Sequence, residues 1–499
     1  MNKYICHPNG NDLNGGGFYA TTGGTPTPPA WSDWHNNFAP TAIVNNCSIE
    51  SWGASSVKIV SEGAFSASMV GSLVYCDFSD TYNDGRYVVV IANTDYIGIG
   101  LAYSSAVPTV NVRVGGAIKS PKEACALGNG TSDDEVLFPC NQSTPTIHEI
   151  NGSSNNIALL TNDYTLNAYG VDEATGVAII SKDSTKWPVI KAKDGSSWTY
   201  DVAMLSATAS PIYVKLDKLL FDGNQLATVG IRLGDNSADI INIYFGDIEV
   251  KNMVNTVTNA LPSPITGKAI LAVGYLCNNS NFPEEYINSL KISNCGIGIN
   301  PGTRTWPPVK NLIIDSCTCC AIFQFGVGVN YLFQQILRTV LSNNAIGIYK
   351  HRYNLFINNP ITFIGNGIDI YFDKYSTFTF LAKICNCLFF NDNAEGKIVN
   401  VISNSSTVIF DNCVLGTANG AVIDSGVTST KIDCELIHSN PLMSDSDLRL
   451  NPAFEDFSKI YDYSKTFNYI GATSIAEPVG GGGGCFVQAG SGRFGVQES

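Results

Sequence analysis

From about residue 150 onward the chain alternates apolar and polar positions with period two, and it does so in copies. VKLDKLLFDGN, SLKISNCGIGIN, NLIIDSCTCCAIFQFG, TVLSNNAIGIY, PITFIGNGIDIYF, FLAKICNCLFFND and STVIFDNCVLG each hold a short apolar strand, an Asn, Asp or Ser corner, and a second apolar strand. The corners fall at Asn294, Ser316, Asn344, Asn366, Asn386 and Asn412, spaced by 22, 28, 22, 20 and 26 residues. A repeat of that length marks a solenoid with one copy per coil. Period-two alternation, with β-branched and aromatic residues dominant, selects strands over helices. Asn and Gly recur where a corner needs the left-handed backbone region. The pattern therefore predicts an all-β chain whose residues 150–475 form a right-handed parallel β-helix, the hand following from the crossover rule. At ~24 residues per coil this gives about a dozen rungs and a shaft of ~55–60 Å.

The flanks read differently. Residues 46–114 hold short alternating runs, SSVKIV, SLVYCDF, RYVVVIA and TVNVRV, separated by turns such as Asn83-Asp84-Gly85. They predict a small antiparallel β-domain. Residues 115–149 follow as a capping helix and linker: Ser120, Pro121 and Glu123 supply an N-cap, an N1 proline and an N3 glutamate, the signature of a capping box. Such a helix can cover the open end of a β-stack. Residues 1–45, rich in Gly, Pro and Asn, read as an irregular arm. Its Trp31, Trp34 and Phe38 are candidate attachment anchors, either folded back on their own domain or docked on a neighbouring subunit. Residues 476–499 form a Gly-rich C-terminal tail, whose five consecutive glycines hold no regular structure by themselves.

Composition agrees with dense β-structure: charged residues are 14% and hydrophobic ones 44%, with 47 Gly, 22 Tyr and 24 Phe. A formal charge of −14, with 29 Lys plus Arg and no basic run, argues against nucleic acid as a partner. No uninterrupted apolar stretch approaches the length of a membrane span, and the N-terminus lacks a secretory core. Synthesis in a host cytoplasm is expected, so the 15 cysteines read as buried thiols. The sequons at Asn129, Asn151, Asn278 and Asn404 are then incidental.

Candidate chemistry is sparse. CTCC at Cys317–Cys320 and CNC at Cys385–Cys387 lack the paired knuckles of a zinc site. Cys295, Cys317, Cys387 and Cys413 each follow a corner and are expected to stack as one buried thiol ladder. Glycosidase chemistry needs two carboxylates flanking a groove; Asp369 with Asp373 and Asp392 with Asp411 are possible pairs, read as solvated turn residues. Arg338 and Arg352 stand beside no acidic cluster, and Asp445-Ser-Asp447 reads as a turn. Histidines at 7, 35, 148, 351 and 438 build no triad and read as surface or hydrogen-bonded residues; GxSxG, HExxH and P-loop motifs are absent. The expectation is a chain that is not an enzyme, with no catalytic, metal or cofactor residue.

The segments NGNDLNGGGFYATTGG, FSASMVGSLVY, DGRYVVV and VGGAIKSPKEA resemble the N-terminal region of virion-associated β-helix proteins of tailed bacteriophages. NPLMSDSDLRLNPAF and NYIGA resemble the last coil of pectate-lyase-like β-helices, and EPVGGGGG resembles the glycine-rich tail of those phage proteins. The resemblance implies a virion structural protein on the capsid or tail exterior, a decoration or cement protein or a short fibre, held by its ends to the major capsid protein or another virion protein. A homotrimer is the assembly it implies. The alternative is a tailspike or receptor-binding fibre that binds or depolymerises host surface polysaccharide, which makes a host glycan a further partner.

Overall fold

The computed structural model divides into two units, Met1–Val254 and Asn255–Ser499. In the first it describes residues 2–20, 31, 38–79, 83–102, 109–128, 134–152, 156–160, 164–199, 202–235 and 239–254. In the second it describes 268–272, 275–277, 287–301, 309–324, 339–350, 355–357, 361–373, 381–391, 396–401, 406–411, 413–417, 427–432, 434–437, 484–487 and 494–497.

In the first unit, Pro40–Ser51, Val57–Val60, Leu73–Phe78, Gly85–Ala92, Tyr96–Ile99 and Val110–Gly115 close into an antiparallel barrel. Alternation drives it: Val57 and Ile59, Val74 and Cys76, and Val112 and Val114 meet inside, each no more than 1% exposed. The helix Pro121–Leu127 starts as its sequence suggests, with the Ser120 hydroxyl accepting the Glu123 N–H. The Ser120 N–H donates to Asp12 Oδ1 at 2.7 Å, and the Glu123 carboxylate takes Arg86 at 3.2 Å.

Beside this barrel the chain forms parallel coils with three faces. On one face Glu135–Cys140, Tyr164–Asp172, Ile212–Asp217 and the first part of Ile240–Lys251 pair in register. A second face carries Ile147–Ile150, Val189–Ala192, Leu219–Asp222 and the end of Ile240–Lys251. The third carries Ile157–Leu159, Ala203–Ala207 and Val229–Leu233. The parallel stacking thus begins ahead of residue 150. It reaches into the segment whose composition suggests an irregular arm, where Asn2–Ile5 pairs parallel to Glu135–Cys140 and antiparallel to Gly17–Tyr19. Runs of three and four residues among glycines are too short to register as strands in a sequence. Gly17 is required there, since a Cβ would lie 1.9 Å from the Lys3 carbonyl oxygen.

The second unit repeats the plan. Ile287–Ser293, Val309–Asp315, Thr339–Ser342, Ile361–Ile364, Leu388–Asn391, Val414–Thr417 and Glu435–Ile437 form one parallel face. Lys268–Ala272, Ile297–Asn300, Cys320–Gln324, Ile346–Lys350, Ile368–Phe372 and Lys397–Val401 lie along a second sheet. Leu355–Ile357, Leu381–Cys385, Ser406–Asp411 and Val427–Ile432 form a third face. The chain is a parallel β-helix. In the tail, Gly484–Val487 and Phe494–Gln497 pair antiparallel, so that segment holds some regular structure.

The corners differ from the expected single column. Asn294, Ser316, Asn343 and Gly365 take φ of 52°, 55°, 52° and 62° between the first and second faces, whereas Asn386, at 59°, turns between the third and the first. The sequence repeat merges these two kinds of corner into one. At Asn343 and Gly365 the left-handed residue also lies one position before the asparagine that the repeat suggests. Asn412 lies outside the described residues.

Candidate functional site

The strand Ile212–Asp217 shows how the outer face of the early coils is built. Its burial alternates, with Ile212, Val214 and Leu216 inside and Tyr213, Lys215 and Asp217 half-buried outside. Register brings Tyr169 of the preceding coil opposite Asp217, and Tyr244 of the following coil opposite Lys215. The Lys215 ammonium lies 5.5 Å from the centroid of Tyr169 and 5.1 Å from that of Tyr244, a cation held between two aromatic rings. Burial pushes the Tyr169 phenol up, with Glu135, Asp217 and Tyr244 adding to the effect. Glu135 itself pairs with Lys3 at 2.9 Å. The result is a face of phenol rings, one cation and carboxylates, able to stack on a ring and hydrogen-bond to hydroxyls.

Next to this face the chain turns at Lys218, in the left-handed region with φ 55°. Its side chain is folded under Trp187, 5.4 Å from the ring, and pairs with Asp247. Both partners are nearly sealed from solvent, at 8% and 5% exposure. Asp217 Oδ1 accepts the Asp247 N–H at 2.8 Å. Burial raises the Asp217 carboxyl above the usual aspartate range, and the N–H of Asp247 and the charge of Lys218 offset part of that. Two glycines make room. A Cβ on Gly170 would meet the Lys218 carbonyl oxygen at 2.3 Å, and one on Gly246 would meet Asp217 Oδ1 at 2.1 Å. The sequence singles out none of these residues. Lys218 and Asp247 are 29 positions apart, and only coil register brings them together.

The expected site residues are distributed elsewhere. Phe38 is 1% exposed and stacks on His7, with centroids 3.8 Å apart. Trp31 donates from Nε1 to the Glu173 carbonyl at 2.7 Å and packs against the cluster containing Phe38. Both are thus engaged within their own chain; Trp34 lies outside the described residues. The cysteines form two stacks in place of the expected single ladder. Cys295 and Cys317 align at the first kind of corner, and their column continues into Asn344 and Asn366. Cys387 and Cys413 align at the second kind, with Cys434 in register beyond them. The four expected members are at most 1% exposed, and burial lifts the Cys317 and Cys413 thiols well above the usual range. Cys319 and Cys320 are in sulfur contact at 4.0 Å, without a bond.

Asp369 is no solvated turn residue: it is fully buried, accepts Asn366 Nδ2 at 2.9 Å, and burial drives its carboxyl far up. Asp373 accepts the Tyr349 hydroxyl at 2.6 Å. Four positions along an extended strand separate these two by ~13 Å, beyond the ~5–9.5 Å that glycosidic cleavage requires. Asp411 pairs with Lys383 at 3.5 Å, while Asp392 lies outside the described residues. So do Arg338, Arg352, Asp445, Asp447 and three of the histidines. The other two, His7 and His148, are buried and meet edge to face at 6.5 Å. His148 Nδ1 lies 3.6 Å from the Cys6 sulfur. Burial lowers His148 to about 3 and His7 to about 4. It also raises the Cys6 thiol, so this cysteine–histidine contact is a neutral one rather than an activated nucleophile. Among the described residues no group of three or more His, Cys, Asp or Glu could hold a metal ion, and no helix is long and apolar enough to cross a membrane.

No family model and no curated protein matches the sequence. Among solved structures, the chain is similar to the Agl-KA catalytic domain at 13% identity and a TM-score of 0.25, covering 80% of this chain and 98% of that one. It is also similar to the catalytic domain of a GH87 alpha-1,3-glucanase in complex with tetrasaccharides, at 10% identity and a TM-score of 0.30, covering 80% and 93%. At these scores no residue correspondence is drawn, and the activities in those names belong to those proteins. They do correct one expectation. The absence of a familiar motif on the coils points away from an enzyme, yet the structures the chain matches are catalytic domains. A bare parallel coil therefore does not separate this chain from enzymes, and the expectation of a non-enzyme does not stand.

Proposed function

We propose that this protein is a spike or fibre on the exterior of a phage particle that engages host surface polysaccharide along the outer face of its early coils. The observation that carries the reading is Lys215 held between Tyr169 and Tyr244, with Asp217 two residues further along the same strand and opposite Tyr169. Half-buried phenol rings offer flat apolar surface for sugar rings and hydroxyls for their edges, at low entropic cost because the rings are already packed. The cation and carboxylates add polar partners that fix orientation. Asp217, whose carboxyl burial raises, adds a further polar partner at the edge of this face. The family-like ends of the sequence support a place on a virion, anchored to the major capsid protein or another virion protein, in trimers.

Purified protein is incubated with bacterial surface polysaccharides; binding is measured by calorimetry and cleavage by release of reducing ends. The expected result is binding to at least one polysaccharide that Tyr169→Ala and Tyr244→Ala each weaken about tenfold, a loss of ~1.4 kcal/mol. Binding unchanged in both tyrosine variants, or no binding to any polysaccharide of the phage's host, would overturn the proposal.

A further inference from the structure

Lys218 and Asp247 form a buried ion pair with an unusual setting. Coil register places them side by side, and the Lys218 N–H donates to the Asp247 carbonyl at 2.9 Å, so their backbones are fixed to one another. Their side chains, 9% and 7% exposed, are directed at each other beneath the Trp187 ring. Taking two charges out of water costs several kcal/mol per ion, only partly regained by their attraction. Transfer of one proton within the contact, from the Lys218 ammonium to the Asp247 carboxylate, gives the amine and carboxylic acid that can react with one another.

We propose that Lys218 and Asp247 condense to a side-chain amide that covalently joins two successive coils. The lone pair of Lys218 Nζ attacks Asp247 Cγ, forming the N–C bond. The tetrahedral carbon then expels one carboxyl oxygen, which leaves as water with the two protons the nitrogen and acid give up. Nothing is oxidised or reduced, and no co-reactant is needed. Entropy favours the step, because the two groups are held in contact by the fold and the reaction is effectively unimolecular. Exclusion of water by Trp187 disfavours the reverse reaction.

Asp217 acts as a positioning residue. Its Oδ1 holds the Asp247 N–H at 2.8 Å, which fixes the root of the side chain that must present Cγ to the amine. Gly246 allows that carboxylate to lie against the next coil, where any Cβ would collide with it. Gly170 leaves open the space that the Lys218 carbonyl oxygen and Cβ occupy; a Cβ on this glycine would stand 2.3 and 3.1 Å from them. The corner is therefore shaped on both sides around the reacting pair.

The test is the intact mass of the full-length folded protein, followed by proteolysis and peptide mapping. The expected mass is one water below that of the sequence, with a branched peptide joining Lys218 to Asp247. Lys218→Arg and Asp247→Ala should each restore the full sequence mass and remove the branched peptide. Asp217→Ala, which removes the acceptor for the Asp247 N–H, should slow accumulation of the linked form at least tenfold after synthesis, which is read in a time course. A wild-type chain at full sequence mass, or a water deficit that persists in Lys218→Arg, overturns the proposal. Because the wild-type mass and peptide map decide it, a variant that fails to fold leaves the outcome intact.

Discussion

The backbone N–H of Cys317 donates to the side-chain oxygen of Asn344, 27 residues later and one coil on, at 2.9 Å. The Asn344 N–H in turn donates to Asn366 Oδ1 at 2.9 Å, and Asn344 Nδ2 reaches both Asn366 Oδ1 and the Ile314 carbonyl. Asn366 closes the column by donating to the Leu341 carbonyl at 2.8 Å. Two sulfurs and two amides thus occupy one corner column, and the amides satisfy backbone groups that the turn takes out of the sheet ladder.

Asn344→Leu is therefore expected to destabilise the second unit by about 3 kcal/mol, since it strands buried donors and acceptors on three neighbours. Asn343→Gly, one residue earlier at the left-handed position, is expected to cost about 1 kcal/mol or less, because glycine adopts that backbone freely and only the exposed hydrogen bond from Asn343 Nδ2 to Asp315 is lost. Urea midpoints of the two variants check the contrast; equal losses would show that the amide column contributes nothing beyond the corner itself.

Stability should depend on pH through His148 and His7. Their folded pKa values, about 3 and about 4, lie below the ordinary value of 6.5, so the unfolded chain takes up protons first. The folded state accordingly loses stability as pH falls from about 6.5 toward 3–4, by on the order of 4 kcal/mol for His148 alone. His148→Gln is expected to flatten that dependence, measured as urea midpoint against pH between 7 and 4. An unchanged slope would place the acid sensitivity elsewhere.

Asp369 works in the opposite direction. Its folded carboxyl is raised by burial, and Oδ2 has no hydrogen-bond partner among the described residues. The stability it contributes is present below the ordinary aspartate pKa and is lost as pH rises through the folded value. Asp369→Asn keeps the shape and removes the titration, so the variant is expected to be more stable than the wild type above about pH 5 and to converge with it in acid. Thermal midpoints measured across that range decide it.

What the sequence disclosed was the local geometry. Alternation located the strands at Ile287–Ser293 and Val309–Asp315, and asparagine at Asn294 located a left-handed corner, because both are properties of neighbouring residues. Which face a corner joins is a property of the whole coil. ISNCGIGI around Asn294 and ICNCLFF around Asn386 look alike, yet one leaves the first face and the other enters it. That single ambiguity merged two cysteine stacks into one. The early-coil face stayed hidden for the same reason: Tyr169, Lys215 and Tyr244 meet only once register is known.

Gly170 and Gly246 offer a last contrast, since both flank the Lys218 corner but meet different atoms. A Cβ at Gly170 would run into the Lys218 carbonyl oxygen and into Pro188 Cδ at 2.9 Å, which are backbone and a rigid ring. Neither can turn away, so Gly170→Ala must push two coils apart and is expected to cost about 3 kcal/mol. At Gly246 the nearest obstacle is the Asp217 carboxylate, which two torsions can turn aside, while the Asp217 Cβ at 2.9 Å yields to a small backbone shift. Gly246→Ala should therefore cost about 1 kcal/mol, mainly by releasing the hydrogen bond from the Asp247 N–H to Asp217. Denaturant midpoints rank the two, and amide exchange at Asp247 reports the released bond directly. Faster exchange in Gly246→Ala with little loss of stability is the expected pair of results; protection unchanged at Asp247 would mean that Asp217 does not hold it.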